Sequence, residues 1–329
     1  MKERLKKSLK AILPIVLGAF VLYCVYRDYD FSRIGEVLHY EVSWDWMVVS
    51  LLFGVMSHVF RGLRWKQTLQ PLGEHPQTAN CVDAIFISYA ANLIIPRMGE
   101  LTRCAVLNKT DGVNFSKALG TVVTERIIDG VCILLISALT FVLQMPVFVR
   151  FFHETGTKIP SVGHLVASPW FYVSLFSVVG ASILLFYIIK VFGLPKKLRA
   201  LLLGIWQGVL SVRQVANPPK FVAYTILIWL CYLLHFYFTF FCFDFSANLG
   251  LLAGLVMFVG GTFAVIVPTP NGAGPWHFAV ITMMMLYGVE STDAATFALI
   301  VHAIQTLLVI VLGVWGWLRV STGRSHRCQ

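Results

Sequence analysis

Long apolar runs separated by short polar joints dominate this chain. A helix that crosses the hydrocarbon core of a bilayer needs about 20 mostly apolar residues. The runs at 9–26, 46–60 (continuing towards Trp65), 127–143, 170–192, 221–243 and 294–320 approach or meet that length. Three further runs, 82–95, 249–267 and 278–287, are interrupted. The basic start before the first run raises the question of a signal peptide. No small-residue cleavage site follows it, and Tyr23, Tyr26 and Arg27 stand in its place, so an uncleaved span is expected. Two joints are amphipathic at helical spacing. One carries Phe31, Ile34, Leu38 and Val42; the other carries Leu198, Leu201, Leu202, Ile205, Val209 and Val212.

Composition agrees with the pattern. Of 329 residues, 57% are apolar and 13% charged, and the mean hydropathy is +0.76. A soluble domain carries about 25% charged residues. A soluble enzyme, a disordered tail and a disulfide scaffold are thereby excluded. An all-α polytopic membrane helix bundle is expected, with 1–329 as a single membrane domain. The seven cysteines are scattered without a C-x-x-C pair and read as small buried hydrophobes.

Basic residues set the expected orientation. Lys2, Arg4, Lys6, Lys7 and Lys10 precede the first span, and Arg61, Arg64 and Lys66 follow the second. Lys190, Lys196, Lys197, Arg199, Arg213 and Lys220 surround the central joint, and Arg319, Arg324 and Arg327 follow the last span. All fall on one side if both termini are cytoplasmic. The opposite loops hold Arg27, Arg33, Arg150 and Lys158. This orientation requires the segment from about 77 to 117 to leave and return on one side, as a re-entrant helical hairpin broken at Pro96–Gly99. The same reasoning makes 249–287 a second broken hairpin, interrupted at 268–277.

The two halves then read alike: span, amphipathic stretch, span, broken hairpin, span. One starts inside and the other outside. The expectation is two inverted-topology repeats, 1–145 and 168–320. In secondary transporters, paired interrupted segments of this kind point to a midplane binding site.

Charges within apolar surroundings are the candidate chemistry. Arg97, Glu100 and Arg103 follow the first break; Glu125, Arg126 and Asp129 lie in the next helix. Glu125 and Asp129, four apart, share a helical face, and Arg126 can pair with Asp129. A charge at the bilayer centre costs about 2.5–3.5 kcal/mol on insertion scales, so the cluster must face protein, water or itself. An interfacial position one turn deep is the alternative. At the second break, Pro268, Pro270, Gly272 and Gly274 free backbone groups that protein or a wet cavity must satisfy. Pro275 would open a new helix whose N-terminus favours an anion, with His277 in its first turn and Arg97 and Arg103 nearby. His235 and His302 read mainly as core histidines, Gln305 as a helix–helix hydrogen-bonding group, and Gly250 and Gly254 as a packing face. No metal-ligand spacing, P-loop or G-x-S-x-G occurs. No catalytic group, metal site or cofactor is assigned.

These two polar segments resemble a known family. Asn92-Leu-Ile-Ile-Pro96-Arg97-Met-Gly99-Glu100-Leu-Thr-Arg103 with Thr124-Glu125-Arg126-Ile-Ile-Asp129 is similar to the first signature of the lysylphosphatidylglycerol synthase transmembrane family, the flippase-like membrane proteins. Pro270-Asn271-Gly272-Ala273-Gly274 with His277 is similar to its second, P-G-G-x-G-x-x-E, with Asn271 in place of Gly and His277 in place of Glu. The resemblance implies a multi-pass protein of the bacterial inner (plasma) membrane that moves a lipid between leaflets. It also implies that a chain ending at Gln329, without the soluble aminoacyl-transferase domain of larger members, makes no aminoacyl lipid.

The expected function is translocation of a phospholipid or polyprenyl-phosphate-linked lipid through a polar groove. Its expected substrate-binding residues are Arg97, Glu100, Arg103, Glu125, Arg126, Asp129, Asn271, Gly272, Gly274 and His277. The alternatives are a membrane-embedded enzyme that modifies lipid headgroups and a non-transporting membrane subunit. The expected partner is a membrane lipid with an anionic or phosphate-bearing headgroup. No nucleic-acid partner is expected, and a homo-oligomer is compatible with the pattern.

Overall fold

The computed structural model describes residues 2–27, 29–146 and 196–322, with isolated positions between 149 and 180. The expected span at 170–192 therefore lies outside the described residues apart from isolated positions. The described chain is helical, without a β-strand. Its principal helices are α1 (Lys2–Tyr26), α2 (Trp44–Leu69), α3 (Thr78–Ile94), α4 (Gly99–Asp111), α5 (Phe115–Leu143), α6 (Lys196–Leu210), α7 (Pro218–Tyr237), α8 (Leu251–Ala264), α9 (Pro275–Leu286) and α10 (Ser291–Thr322).

Local chemistry sets the boundaries. The Asn114 side chain accepts from Ser116 N and Lys117 N and opens α5. Asn217 accepts from Lys220 N, and Pro218 supplies the first residue of α7, where no donor is needed. Pro96 pushes Ile95 into an extended conformation (φ −132°, ψ 115°), which ends α3. Gly112 closes α4 in the left-handed region at φ 72°.

Four stretches are long and apolar enough to cross a membrane: Trp44–Leu72, Phe115–Leu143, Pro218–Cys242 and Ser291–Thr322. Leu13–Tyr26, Thr78–Ile94 and Leu251–Ala264 are shorter apolar helices. The largest departure from the sequence reading is α5, which begins at Phe115 and runs unbroken through the charged residues. At 1.5 Å per residue, Asp129 sits about 21 Å along a helix of about 43 Å. It is mid-helix rather than one turn from the helix start. On its outer face, Leu134, Leu135 and Val142 are 62%, 66% and 73% exposed, as a lipid-facing surface requires.

Helix α2 packs along α7, α6 along α5, and α3 against α2 and α10 while folding back on α4. Helices α8 and α9 form a second hairpin, and α9 also meets α10 and α1. The α5–α6 contact is made by backbone: a Cβ on Gly120 would stand 2.8 Å from Gly208 Cα. Gly204 and Gly208, four apart, present the matching surface of α6. Of the expected glycine pair on α8, only Gly254 is packed, against Tyr237, while a Cβ on Gly250 would meet nothing. Two apolar clusters flank the bundle centre. One includes Met47, Phe240, Met257 and Phe297; the other includes Trp65, Leu69, Ile85 and Leu107.

Candidate functional site

Between the two clusters lies a cavity of ≈ 920 Å³. Both helix breaks open onto it. Pro96 and Arg97 come from the α3–α4 break, and Pro268, Thr269, Asn271 and Gly272 from the α8–α9 break. Glu100 of α4, Arg126 and Asp129 of α5, Arg61 of α2 and Tyr232 of α7 complete its polar wall. Phe236, Phe258 and Trp276 contribute an aromatic wall.

Behind that wall is a buried ionic network. Asp129 accepts from two arginines one turn apart on α2: Arg61 Nη1 at 2.8 Å and Arg64 Nη2 at 2.9 Å. Glu125, one turn earlier on α5, accepts from Arg103 Nη1 at 2.6 Å and lies 3.5 Å from Arg64 Nε. Arg126 meets Glu100 at 3.2 Å and Asp129 at 3.8 Å. The network alternates cation and anion from α4 through α5 to α2, so each buried carboxylate touches at least two guanidinium groups. Burying such ions is tolerable only when they are mutually paired. Arg103 also lies over the Trp65 ring at 4.7 Å, and Trp65 Nε1 donates to Thr121 at 2.9 Å. Arg61 Nε donates to the Tyr232 hydroxyl at 3.1 Å, which pairs with Tyr89 at 2.6 Å.

Arg97 is outside this network. It makes no ion pair among the described residues, and its Nη2 donates to the Ile266 carbonyl at the end of α8, at 2.9 Å. Its backbone takes φ 65°, unusual for a residue with a Cβ. The following turn is held by Gly99 N donating to Asn92 Oδ1 at 2.7 Å. A Cβ on Gly99 would collide with the Ser88 carbonyl, so only glycine fits there.

The structure separates the expected site residues into two groups. Arg97, Glu100, Arg126, Asp129, Asn271 and Gly272 line the cavity. Arg103 and Glu125 do not; they are 1% and 0% exposed and bind each other. Gly274 and His277 also lie off the cavity. A Cβ on Gly274 would stand 2.9 Å from the Gly18 carbonyl of α1. His277 is buried, its ring 5.7 Å from Tyr26 and 4.5 Å from His302. Its Nδ1 accepts from Gly274 N at 3.3 Å, occupying the donor that was expected to face an anion. At Gly274 the start of α9 is thus covered by its own histidine and by α1.

Several residues of the cavity wall and of the network behind it were not singled out as site groups by the sequence. Arg61 and Arg64 read as basic residues following a span, yet they are 2% and 0% exposed because α2 continues to Leu69. The available signal was a polar stripe on one helical face, Ser50, Ser57, Arg61, Arg64 and Thr68, all buried. Tyr89 and Tyr232 carried no signal beyond their place in apolar helices. His235 lines the cavity, and its Nδ1 bonds the Ser50 carbonyl at 2.7 Å. His302 Nε2 bonds the Asn271 carbonyl at 3.1 Å. Buried Thr269 Oγ1 and Gln305 Nε2 border the cavity without a protein partner. No group of three or more His, Cys, Asp or Glu able to hold a metal ion occurs among the described residues.

Comparison with known proteins adds the family. Residues 11–313 match the family described as the lysylphosphatidylglycerol synthase TM region. The chain belongs to that family. It is 24% identical over 234 residues to the UPF0104 membrane protein MJ1078 of Methanocaldococcus jannaschii, covering 68% of this chain and 90% of that one. It is 23% identical over 130 residues to a protein named glycosyltransferase AglD of Haloferax volcanii, covering 39% of this chain and 21% of that one. No solved structure matches. Like its relatives in the family, the chain is a multi-pass membrane protein.

Proposed function

We propose that this protein is a lipid translocator of flippase type, passing a phosphate-bearing headgroup through the cavity while the acyl or prenyl tails stay in the hydrocarbon. One observation carries this reading: a cavity of ≈ 920 Å³ with a charged wall and an apolar one, bordered by both helix breaks, in a helical membrane protein. Among its lining charges, Arg61, Arg97 and Arg126 outnumber Glu100 and Asp129. The balance favours an anionic guest. Arg97, bound only through a backbone carbonyl, is the guanidinium free to exchange that bond for phosphate oxygens. Arg126 is half exposed and is the second. Thr269, Asn271 and Gln305 supply neutral hydrogen-bonding groups, and Gly272 lets the backbone approach closely. Arg103, Glu125, Gly274 and His277 act behind the site, holding its walls.

In this reading α3–α4 and α8–α9 are re-entrant hairpins of two inverted repeats, and both termini face the cytoplasm of a bacterial cell. The pairing of α2 with α7, which occupy equivalent positions in the two halves, supports the repeat. Because neither hairpin crosses the bilayer, each ends on the side where it began. The two breaks then meet at the midplane, where a headgroup has no water of its own.

The enzyme reading is served less well. Of the groups that would have to exchange protons, Glu125 is enclosed by Arg64 and Arg103, and His277 is closed off behind α1. Asp129 does line the cavity, but Arg61, Arg64 and Arg126 surround it.

The test is leaflet exchange of a fluorescent phosphatidylglycerol in reconstituted vesicles, read by quenching of the outer leaflet. Wild-type protein should render the inner-leaflet pool accessible, and Arg97→Gln should abolish this while eluting and melting as wild type. Exchange by Arg97→Gln at the wild-type rate, or covalent change of the lipid, would overturn the assignment.

A further inference from the structure

A second, smaller cavity lies where two of the long helices end. Its volume is ≈ 300 Å³, and it is lined by the last turns of α2, the segment before α7 and the first turns of α7. Its polar groups are Lys66, Gln67, Gln70, Thr78, Asn217 and Lys220. No carboxylate lines it, so two lysines give it a net positive charge. Neither lysine makes an ion pair among the described residues. Lys66 Nζ donates to Thr78 Oγ1 at 2.8 Å, which leaves two of its protons free. Lys220 Nζ lies 5.7 Å from the Tyr224 ring, and that contact uses no donor in a conventional hydrogen bond.

The remaining groups point the same way. Asn217 spends its oxygen on Lys220 N at 3.0 Å and keeps its amide N–H groups. Gln67 Oε1 is buried without a partner. The α7 N-terminus adds the positive end of a 20-residue helix dipole. Two amines, an amide and a helix terminus border one cavity that no carboxylate lines. The site stands at the ends of α2 and α7, both long and apolar enough to cross a membrane.

We propose that this cavity binds a phosphate group, carried by an anionic lipid of the adjacent leaflet or by a soluble phosphate. It is separate from the central cavity, shares no lining residue with it, and does not require that the central cavity transport lipid. General attraction of anionic lipid to a basic surface acts on every exposed lysine alike. A built site protects its own two.

Lysine acetylation read by mass spectrometry on the full chain in nanodiscs distinguishes these cases. The arms are phosphatidylcholine, phosphatidylcholine with phosphatidylglycerol, and phosphatidylcholine with inorganic phosphate in the buffer. Lys109, exposed on α4, is the surface reference. Lys66 and Lys220 should be slowed relative to Lys109, on the order of tenfold when the ligand is at ten times its dissociation constant. Slowing by phosphatidylglycerol alone identifies a lipid site, and slowing by inorganic phosphate as well identifies a site for either source. In Lys220→Gln, Lys66 should lose its protection although its bond to Thr78 is intact, because the two amines share one ligand. Equal slowing of Lys109, no slowing in any arm, or full protection of Lys66 in Lys220→Gln would overturn the proposal.

Discussion

Replacing Glu125 with Gln removes one charge from the centre of the ionic network at nearly constant volume. Arg103 then loses the negative charge of its 2.6 Å partner while 1% exposed, keeping a neutral amide oxygen and the face of Trp65. Arg64 fares better, because Asp129 still accepts from it at 2.9 Å. The dominant cost is therefore one stranded guanidinium. Removing one partner of a buried pair costs about 3–5 kcal/mol. At roughly 2–4 °C per kcal/mol, that lowers the thermal midpoint by on the order of 10 °C. The assay is fluorescence-detected size exclusion after heating in detergent. The decisive variant is the double substitution Glu125→Gln with Arg103→Met, which removes the stranded cation together with its partner. It should recover most of the loss, since no charge is then left buried without its partner at that position. A single variant as stable as wild type would refute the reasoning, as would a double variant no better than the single.

Three further outcomes follow from the same geometry. Arg97→Gln, which breaks no ion pair, should change stability by no more than about 0.5 kcal/mol in that assay. Gly120→Ala places a methyl group against the backbone of α6 and should destabilise by about 1–3 kcal/mol, whereas Gly130→Ala, which meets nothing within 4 Å, should be neutral or stabilising in the same thermal measurement. Tyr232→Phe should cost about 1.5–3 kcal/mol because a buried arginine loses its acceptor, and Tyr89→Phe about 0.5–1.5 kcal/mol because only the neutral hydroxyl pair is lost. Equal losses in the two tyrosine variants would show that Arg61 does not depend on Tyr232.

The order of helices and their breaks is legible in the sequence because each follows from local rules. Apolar length predicts α2, α7 and α10, and Pro96 and the 268–275 segment stop helices wherever they stand. Likewise, the four-residue spacing of Glu125 and Asp129 puts both carboxylates on the face that meets α2. What local rules miss is the partner on another helix. Arg61 and Arg64 follow an apolar run, where arginines ordinarily meet water, and only the carboxylates of α5 reveal why they are buried. His277 illustrates the converse. Its place in a first helical turn suggests an open anion site, but α1, more than 250 residues away in sequence, closes it. Burial of a charge is decided by what arrives opposite, and neither hydropathy nor spacing records that.

The contact between α5 and α6 has a mechanical consequence. With Gly120 against Gly208 the two backbones touch directly, and Thr124 Oγ1 of α5 donates to the Val209 carbonyl of α6 at 3.1 Å, so sliding would bring collision and break that bond. The amphipathic helix and the charged span therefore travel as a single strut. Any widening of the molecule has to be taken up on the far side of the cavity, where α8 faces α5 and flexible side chains can re-pack as the gap grows.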